Sequence, residues 1–239
     1  MEWRPYETIT EQTLGPHGGL TANNLNRILQ LDSESNYDLD DEISFKLSHY
    51  NDDQTINTFC TQNNSSLNFM SLNAQSVFSN IHMIRQKIEF LSIKFRFTVH
   101  VISIQEGWIN EGRQLSEIEI DNYTLHHQYN QIGGQKGGIA VYIHNSLKGE
   151  QIQYFEKSPT SLWEGLSLKL CGDKLKNSIN VHTVYRPPRE NKRRLNEYHT
   201  EKSNHDIFMT EFEPCLDKIR KDNADTIIMG DFNYDLRTF

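Results

Sequence analysis

Leu67-Asn68-Phe69-Met70-Ser71-Leu72, then Ile81, Ile84, Ile88, Leu91 and Phe95, then Val99-His100-Val101-Ile102-Ser103-Ile104: over about forty residues the spacing of apolar side chains changes twice. The first stretch alternates apolar with small or polar residues, the period of two of a strand. The second recurs at spacings of three and four, one apolar stripe along an amphipathic helix. The third is rich in β-branched residues and reads as a second strand. Strand, helix, strand at this length is a βαβ unit, which points to a layered α/β domain.

Downstream the pattern continues. Ile139-Ala140-Val141-Tyr142-Ile143 follows Gly133-Gly134 and Gly137-Gly138 and reads as a strand after a hairpin turn. Those glycines lack the G-x-x-x-x-G-K-[ST] spacing and a following helix, so they are not read as a phosphate loop. Residues 161–170 and 179–185 continue the β pattern. Phe208, Phe212, Leu216 and Ile219 mark a second amphipathic helix, and Thr226-Ile227-Ile228-Met229 a final buried strand. The predicted fold is an α/β sandwich of two β-sheets flanked by helices, spanning residues 67–239.

Residues 1–66 read differently. Stretches such as Asp32-Ser33-Glu34-Ser35-Asn36 and Asn51-Asp52-Asp53-Gln54-Thr55 show little apolar periodicity, so a mostly disordered, acidic leader is expected there. The leader holds three basic side chains (Arg4, Arg27, Lys46) against eleven acidic ones, so it accounts for the whole net charge of −8. Residues 67–239 are left balanced, and an anionic partner for them is not excluded. No apolar run reaches the length of a membrane span, and Met1-Glu2-Trp3-Arg4-Pro5 does not begin a secretory signal. Cys60, Cys171 and Cys215 are too scattered for a disulfide framework or a C-x-x-C metal site. An intracellular setting, nucleus or cytoplasm, is the expectation.

Polar residues cluster where strands end, the usual place for a site in an α/β sheet. The first strand ends in Ser71-Leu72-Asn73 and the second runs into Gln105-Glu106-Gly107-Trp108. Others run into Tyr185-Arg186-Pro187-Pro188 and Gly230-Asp231-Phe232-Asn233. Hydrolysis of a phosphodiester needs a hard cation, held by one or two carboxylates, and a group that orients water and takes its proton. Glu106, Asp231, Asn73 and Asn233 supply these groups. Each has an ordinary reading too: a solvated loop Glu, a turn or capping Gly-Asp-x-Asn, and for Tyr185 a core tyrosine with a satisfied hydroxyl.

In this order, these four segments resemble the endonuclease/exonuclease/phosphatase superfamily. Tyr-Arg-Pro-Pro and the Gly-Gly-Ile-Ala-Val-Tyr strand at 137–142 are similar to the apurinic-endonuclease-like domain of LINE-type (non-LTR) retrotransposons. The resemblance covers residues 67–239. It implies that Glu106 binds Mg²⁺, or Mn²⁺ in its place, and that Asn73 helps hold the metal site or the phosphate. Asp231 would activate the attacking water, Asn233 would bond water or phosphate, and Tyr185 would lie near the scissile phosphate. DNA is the implied partner, nicked in full-length relatives that also carry a reverse transcriptase in a larger polyprotein.

The family pattern continues past Gly-Asp-x-Asn to a further Asp and a late Ser-Asp-His. Here six residues follow Asn233, and all ten histidines precede Asp231. The expectation is therefore a domain incomplete at its C-terminus, weakly active or inactive alone. Two other readings stay open: a non-catalytic remnant that binds nucleic acid or a partner, and a phosphatase on the same fold. Arg186, Arg189, Lys192, Arg193 and Arg194 form a basic cluster just after Tyr185, either a solvated loop or a set of DNA phosphate contacts. Trp108 and Trp163 read as core or site-wall aromatics. His126-His127 lacks partners at zinc spacing, so no zinc is assigned.

Overall fold

The computed structural model describes residues 7–8, 58, 60–63, 66–130, 137–155, 163–173, 175–188, 201–222 and 224–233. The chain divides into two compact units. The first takes in Met1–Ile9, Phe69–Arg85 and His100–Asn233, the second Thr10–Asn68, Gln86–Val99 and Tyr234–Phe239.

Two β-sheets make up the first unit. One has the order β1-β2-β3-β5-β4, built from β1 (Glu7–Thr8), β2 (Phe69–Asn73), β3 (Val101–Gln105), β4 (Tyr123–Gln128) and β5 (Ile139–His144). The other has the order β6-β7-β8-β9, from β6 (Lys148–Ile152), β7 (Glu164–Cys171), β8 (Ile179–Tyr185) and β9 (Asp225–Asp231). Both are mixed. In each, one pair is parallel and the neighbouring pairs are antiparallel. The architecture is an α/β sandwich, as the βαβ spacing predicts.

The two parallel pairs organise the molecule. β2 pairs with β3 after the crossover helix α1 (Val77–Phe95), and β8 pairs with β9 after α2 (Glu201–Lys221). A parallel neighbour needs such a crossover, because both strands must run the same way. Ile81, Ile84 and Leu91 of the expected α1 stripe are buried and Ile88 and Phe95 half-buried, while Ser76 caps the helix by accepting the Ser79 amide at 3.3 Å. α2 packs Phe208, Phe212 and Cys215 against Trp163 of the β7 edge and Val184 of β8, with Ile228 of β9 beside them.

Central strands are buried on both faces. Every residue of β3 and β8 is buried, and all of β5 except His144. This explains their near-continuous apolar runs. β9 is only half-buried through most of its length, unlike the buried strand expected at 226–229. It sits at the edge of its sheet, so its side chains have a neighbouring strand on one flank only. Sequence periodicity gave no signal for β4 and β6, which are also edge strands: Tyr123-Thr124-Leu125-His126-His127-Gln128 and Lys148-Gly149-Glu150-Gln151-Ile152 carry few apolar residues.

A hydrogen-bonded polar file crosses between the sheets. Ser71 donates to the Gln105 Oε1 at 3.2 Å, Gln105 Nε2 donates to Ser103 Oγ at 2.7 Å, and Ser103 Oγ meets Thr183 Oγ1 at 2.9 Å. Buried polar groups satisfied in this way fix the register between strands that apolar packing alone leaves free.

In the second unit, Asn68 Nδ2 donates to the carbonyls of Asn63 and Thr98 at 3.3 and 2.9 Å, and Cys60, Leu91, Phe97 and Val99 are buried. Most of the segment expected to be a disordered leader lies outside the described residues. Its Glu7–Thr8 pairs antiparallel with Leu72 and Ser71 of β2. Among the described residues no helix is long and apolar enough to cross a membrane.

Candidate metal and phosphate site

The carboxyl ends of the two parallel pairs carry the candidate residues in matching register. Asn73 ends β2 opposite Gln105, one residue before Glu106, and Tyr185 ends β8 opposite Asp231 of β9. Strand ends 158 residues apart in sequence therefore meet at one place.

Asn73 is the keystone. Its Nδ2 donates to Asp231 Oδ2 at 2.8 Å and to Glu106 Oε1 at 3.2 Å, so the two carboxylate oxygens lie no more than about 6 Å apart. Glu106 Oε1 also accepts the Tyr185 hydroxyl at 3.0 Å. Asp231 Oδ1 accepts the Asn233 amide at 3.0 Å, and the Asp231 carbonyl accepts the Arg186 amide at 2.8 Å. Asn233 donates its side-chain Nδ2 to the Arg186 carbonyl at 2.7 Å, which fixes the side chain's orientation.

The backbone here is unusual. Glu106, Trp108 and Asn233 have φ of 50°, 53° and 44°, and Gly230 has φ of 147°. Left-handed conformations at residues with side chains cost of order 1–3 kcal/mol each and gather where function demands a particular aim. Gly230 is dictated by sterics: a Cβ there would stand 1.8 Å from the Val184 carbonyl oxygen.

Electrostatics follow from burial. Loss of water is the main cause that pushes the Asp231 carboxyl above its ordinary range, and the charge of Glu106 adds to it; hydrogen bonds from Asn73 and Asn233 oppose the shift. The Tyr185 phenol, 1% exposed, is raised far above 10, first by desolvation and then by the charge and hydrogen bond of Glu106. It stays protonated across the working pH range and acts as a donor.

A divalent cation fits this donor set. Asn73 Oδ1 is buried with no hydrogen-bond partner, beside two carboxylates. An orphaned acceptor in that setting costs free energy that a cation or its water would offset. Among the described residues there is no group of three or more His, Cys, Asp and Glu side chains suited to a metal. Two carboxylates and an amide are nevertheless the complement that Mg²⁺ takes, since it retains several waters.

Four of the expected site residues (Asn73, Glu106, Tyr185, Asp231) are thus joined by direct hydrogen bonds, and Asn233 closes on Asp231. Arg186 is the first member of the expected basic cluster. It is 6% exposed, with its guanidinium 4.9 Å over the Phe208 ring of α2. Arg189, Lys192, Arg193 and Arg194 lie outside the described residues. Trp163 is a core residue, stacked edge-on with Phe155, Phe208 and Phe212, and its Nε1 donates to Glu211 at 2.8 Å. Trp108 is half-buried on the turn that follows Glu106. Glu164 escaped notice in the sequence; it is wholly buried where β7 begins, opposite Tyr185, and a charge at the head of an apolar strand was the available signal.

No protein-family model matches the chain, and no curated protein matches it. Solved structures do. The human Nocturnin catalytic domain with bound sulfate anion shares 12% identity at a TM-score of 0.47, over 70% of this chain and 64% of that one. The Xenopus laevis APE2 catalytic domain shares 14% at a TM-score of 0.48, over 70% and 58%. The Bacteroides thetaiotaomicron mannosyl-6-phosphatase Bt3783 shares 14% at a TM-score of 0.46, over 70% and 66%. The chain spans roughly three-fifths to two-thirds of the length of these three.

Proposed function

We propose that this protein carries the metal-binding and water-activating part of a divalent-metal-dependent phosphodiesterase acting on DNA, an endonuclease of the LINE-type retrotransposon kind that its motifs resemble. One observation carries the reading: a single amide, Asn73, bridges the Glu106 and Asp231 carboxylates while its own oxygen is left buried and unsatisfied. Mg²⁺ or Mn²⁺ held by Glu106 with Asn73 would neutralise charge that develops on the phosphate. Asp231, its basicity raised by burial, takes the proton of the attacking water. Asn233 and Asn73 hold that carboxylate in place through their N–H donors. Tyr185 keeps its proton and holds Glu106 in its rotamer. DNA is favoured as substrate by the Tyr185-Arg186-Pro187-Pro188 segment and the basic residues at 189–194.

Nicking of supercoiled plasmid, measured beside hydrolysis of nucleotides and phosphosugars, tests this. The expected result for this chain alone is at most weak nicking, which requires the metal and is lost in Glu106→Gln, with little release of phosphate from the small substrates. Metal-independent nicking, nicking indifferent to Glu106→Gln, or faster release of phosphate from the small substrates would refute it.

A further inference from the structure

We propose that Glu164 is a positioning residue for Glu106, acting through the backbone of Gly137 and Gly138. Glu164 is 0% exposed, and its Oε2 accepts the Gly138 amide at 2.6 Å, the short distance of a charge-assisted bond. Its Oε1 occupies the other side of the same glycine pair. A Cβ on Gly137, whose φ is +113°, would stand 2.8 Å from that oxygen. The carboxylate, together with the Asn130 side chain, whose Oδ1 would lie 2.9 Å from that Cβ, therefore fills the space that a side chain at 137 would take.

The two glycines pass this constraint on. The Gly138 carbonyl accepts the Gly107 amide at 2.9 Å and the Gly137 carbonyl accepts the Trp108 amide at 2.6 Å. These are the two peptide groups that follow Glu106, and they hold the left-handed turn through Glu106 and Trp108. Continuing toward α1, the Glu106 and Gly107 carbonyls accept the Ser76 and Val77 amides at 2.8 and 3.0 Å. A buried carboxylate is costly unless hydrogen-bonded, and an apolar side chain would fill the head of β7 more cheaply. What the carboxylate supplies is a fixed acceptor for Gly138. The metal-ligand role of Glu106 rests on the function proposed above; the coupling from Glu164 to the Glu106 turn does not.

The test uses the full 239-residue chain as wild type, Glu164→Ala, Glu164→Gln and Gly137→Ala. Two readouts are amide hydrogen exchange at Gly107 and Trp108, and Mn²⁺ affinity by electron paramagnetic resonance. Glu164→Ala is expected to speed exchange at both amides at least about tenfold while β8 amides stay within about twofold. It should weaken Mn²⁺ binding by about 10–100-fold. Glu164→Gln, whose side-chain oxygen can still accept from Gly138, should keep both readouts within about threefold of wild type. Gly137→Ala, whose Cβ would press on Glu164 Oε1 and on Asn130 Oδ1, should also speed exchange at both amides and keeps the coupling open to refutation if Glu164→Ala fails to fold. Unchanged exchange at Gly107 and Trp108 in a folded Glu164→Ala or Gly137→Ala variant would overturn the coupling, as would a Gln variant as damaged as Ala. Absence of Mn²⁺ binding in the wild type would overturn the proposed function instead, and the exchange rates would still decide the role of Glu164.

Discussion

Replacing Gly230 by Ala is expected to be among the most damaging single-methyl additions in the molecule. Gly230 faces Val184 in the parallel β8–β9 ladder, one step before the Tyr185–Asp231 pair. The added Cβ would meet the Val184 carbonyl oxygen at 1.8 Å, its carbon at 2.7 Å and its nitrogen at 2.8 Å. The neighbours are backbone, so no rotamer change relieves the clash, and the strands must part by about 1 Å or more. Overpacking costs about 1–3 kcal/mol and a φ of 147° on a residue with a side chain a further 1–3, for a total of about 2–6 kcal/mol. For a chain of this size that lowers the melting temperature by on the order of 10 °C. Urea and thermal unfolding measure it, with Gly112→Ala as control because no heavy atom lies within 4 Å of a Cβ built there. Equal midpoints for the two variants would refute both the close approach of β9 to β8 and the placement of Asp231 that depends on it.

Three other outcomes follow from the same geometry. Tyr185→Phe removes the donor to Glu106, and loss of one hydrogen bond to a charged acceptor, about 1.5–3 kcal/mol, should slow nicking about 10–150-fold. Because the phenol is raised above its ordinary value, the wild-type pH–rate profile should show no phenol limb below about pH 10; such a limb, lost in Tyr185→Phe, would contradict the donor role. His182 is wholly buried, bonded to Ser167 Oγ at 2.8 Å, and desolvation lowers its pKa to about 4. Its folded value lies below its unfolded one, so the unfolded chain binds the proton first, and stability should fall as pH drops from about 6.5 through 4, by about 3 kcal/mol. Denaturation of His182→Asn over that range should show a flatter pH dependence, and an unchanged slope would count against it. Arg186→Met should cost about 1–2 kcal/mol of stability through its lost place over Phe208, yet leave the salt dependence of DNA binding unaltered; a slope reduced by about one would restore Arg186 to the phosphate contacts.

Much of this molecule is legible in its sequence because burial leaves a periodic trace. The α1 stripe from Ile81 to Phe95 and the apolar runs of β3, β5 and β8 mark elements whose faces are covered, and the polar residues at their ends mark the site. Edge strands leave a fainter trace. No residue of β4 or β6 is fully buried, so Thr124, His126 and Glu150 obscure the alternation. Long-range partners leave none. Arg186 looks like the first member of a solvated basic run, and only Phe208, on a helix that begins fifteen residues later, turns it inward. Glu164 lies in a stretch that reads as strand, and its hydrogen-bond partner Gly138, just before β5 of the other sheet, leaves no mark in the local sequence. The bridge made by Asn73 is of the same kind, since spacing along the chain does not reveal that Glu106 and Asp231 end at one amide.

The proposal that Glu106 and Asn73 hold a divalent ion beside Asp231 is tested most directly by counting Mn²⁺ on the purified chain by electron paramagnetic resonance. One ion is expected on the wild type, bound at least about tenfold more weakly by Glu106→Gln. A wild type that takes up no ion, or a Glu106→Gln variant that holds it as tightly, would contradict the account.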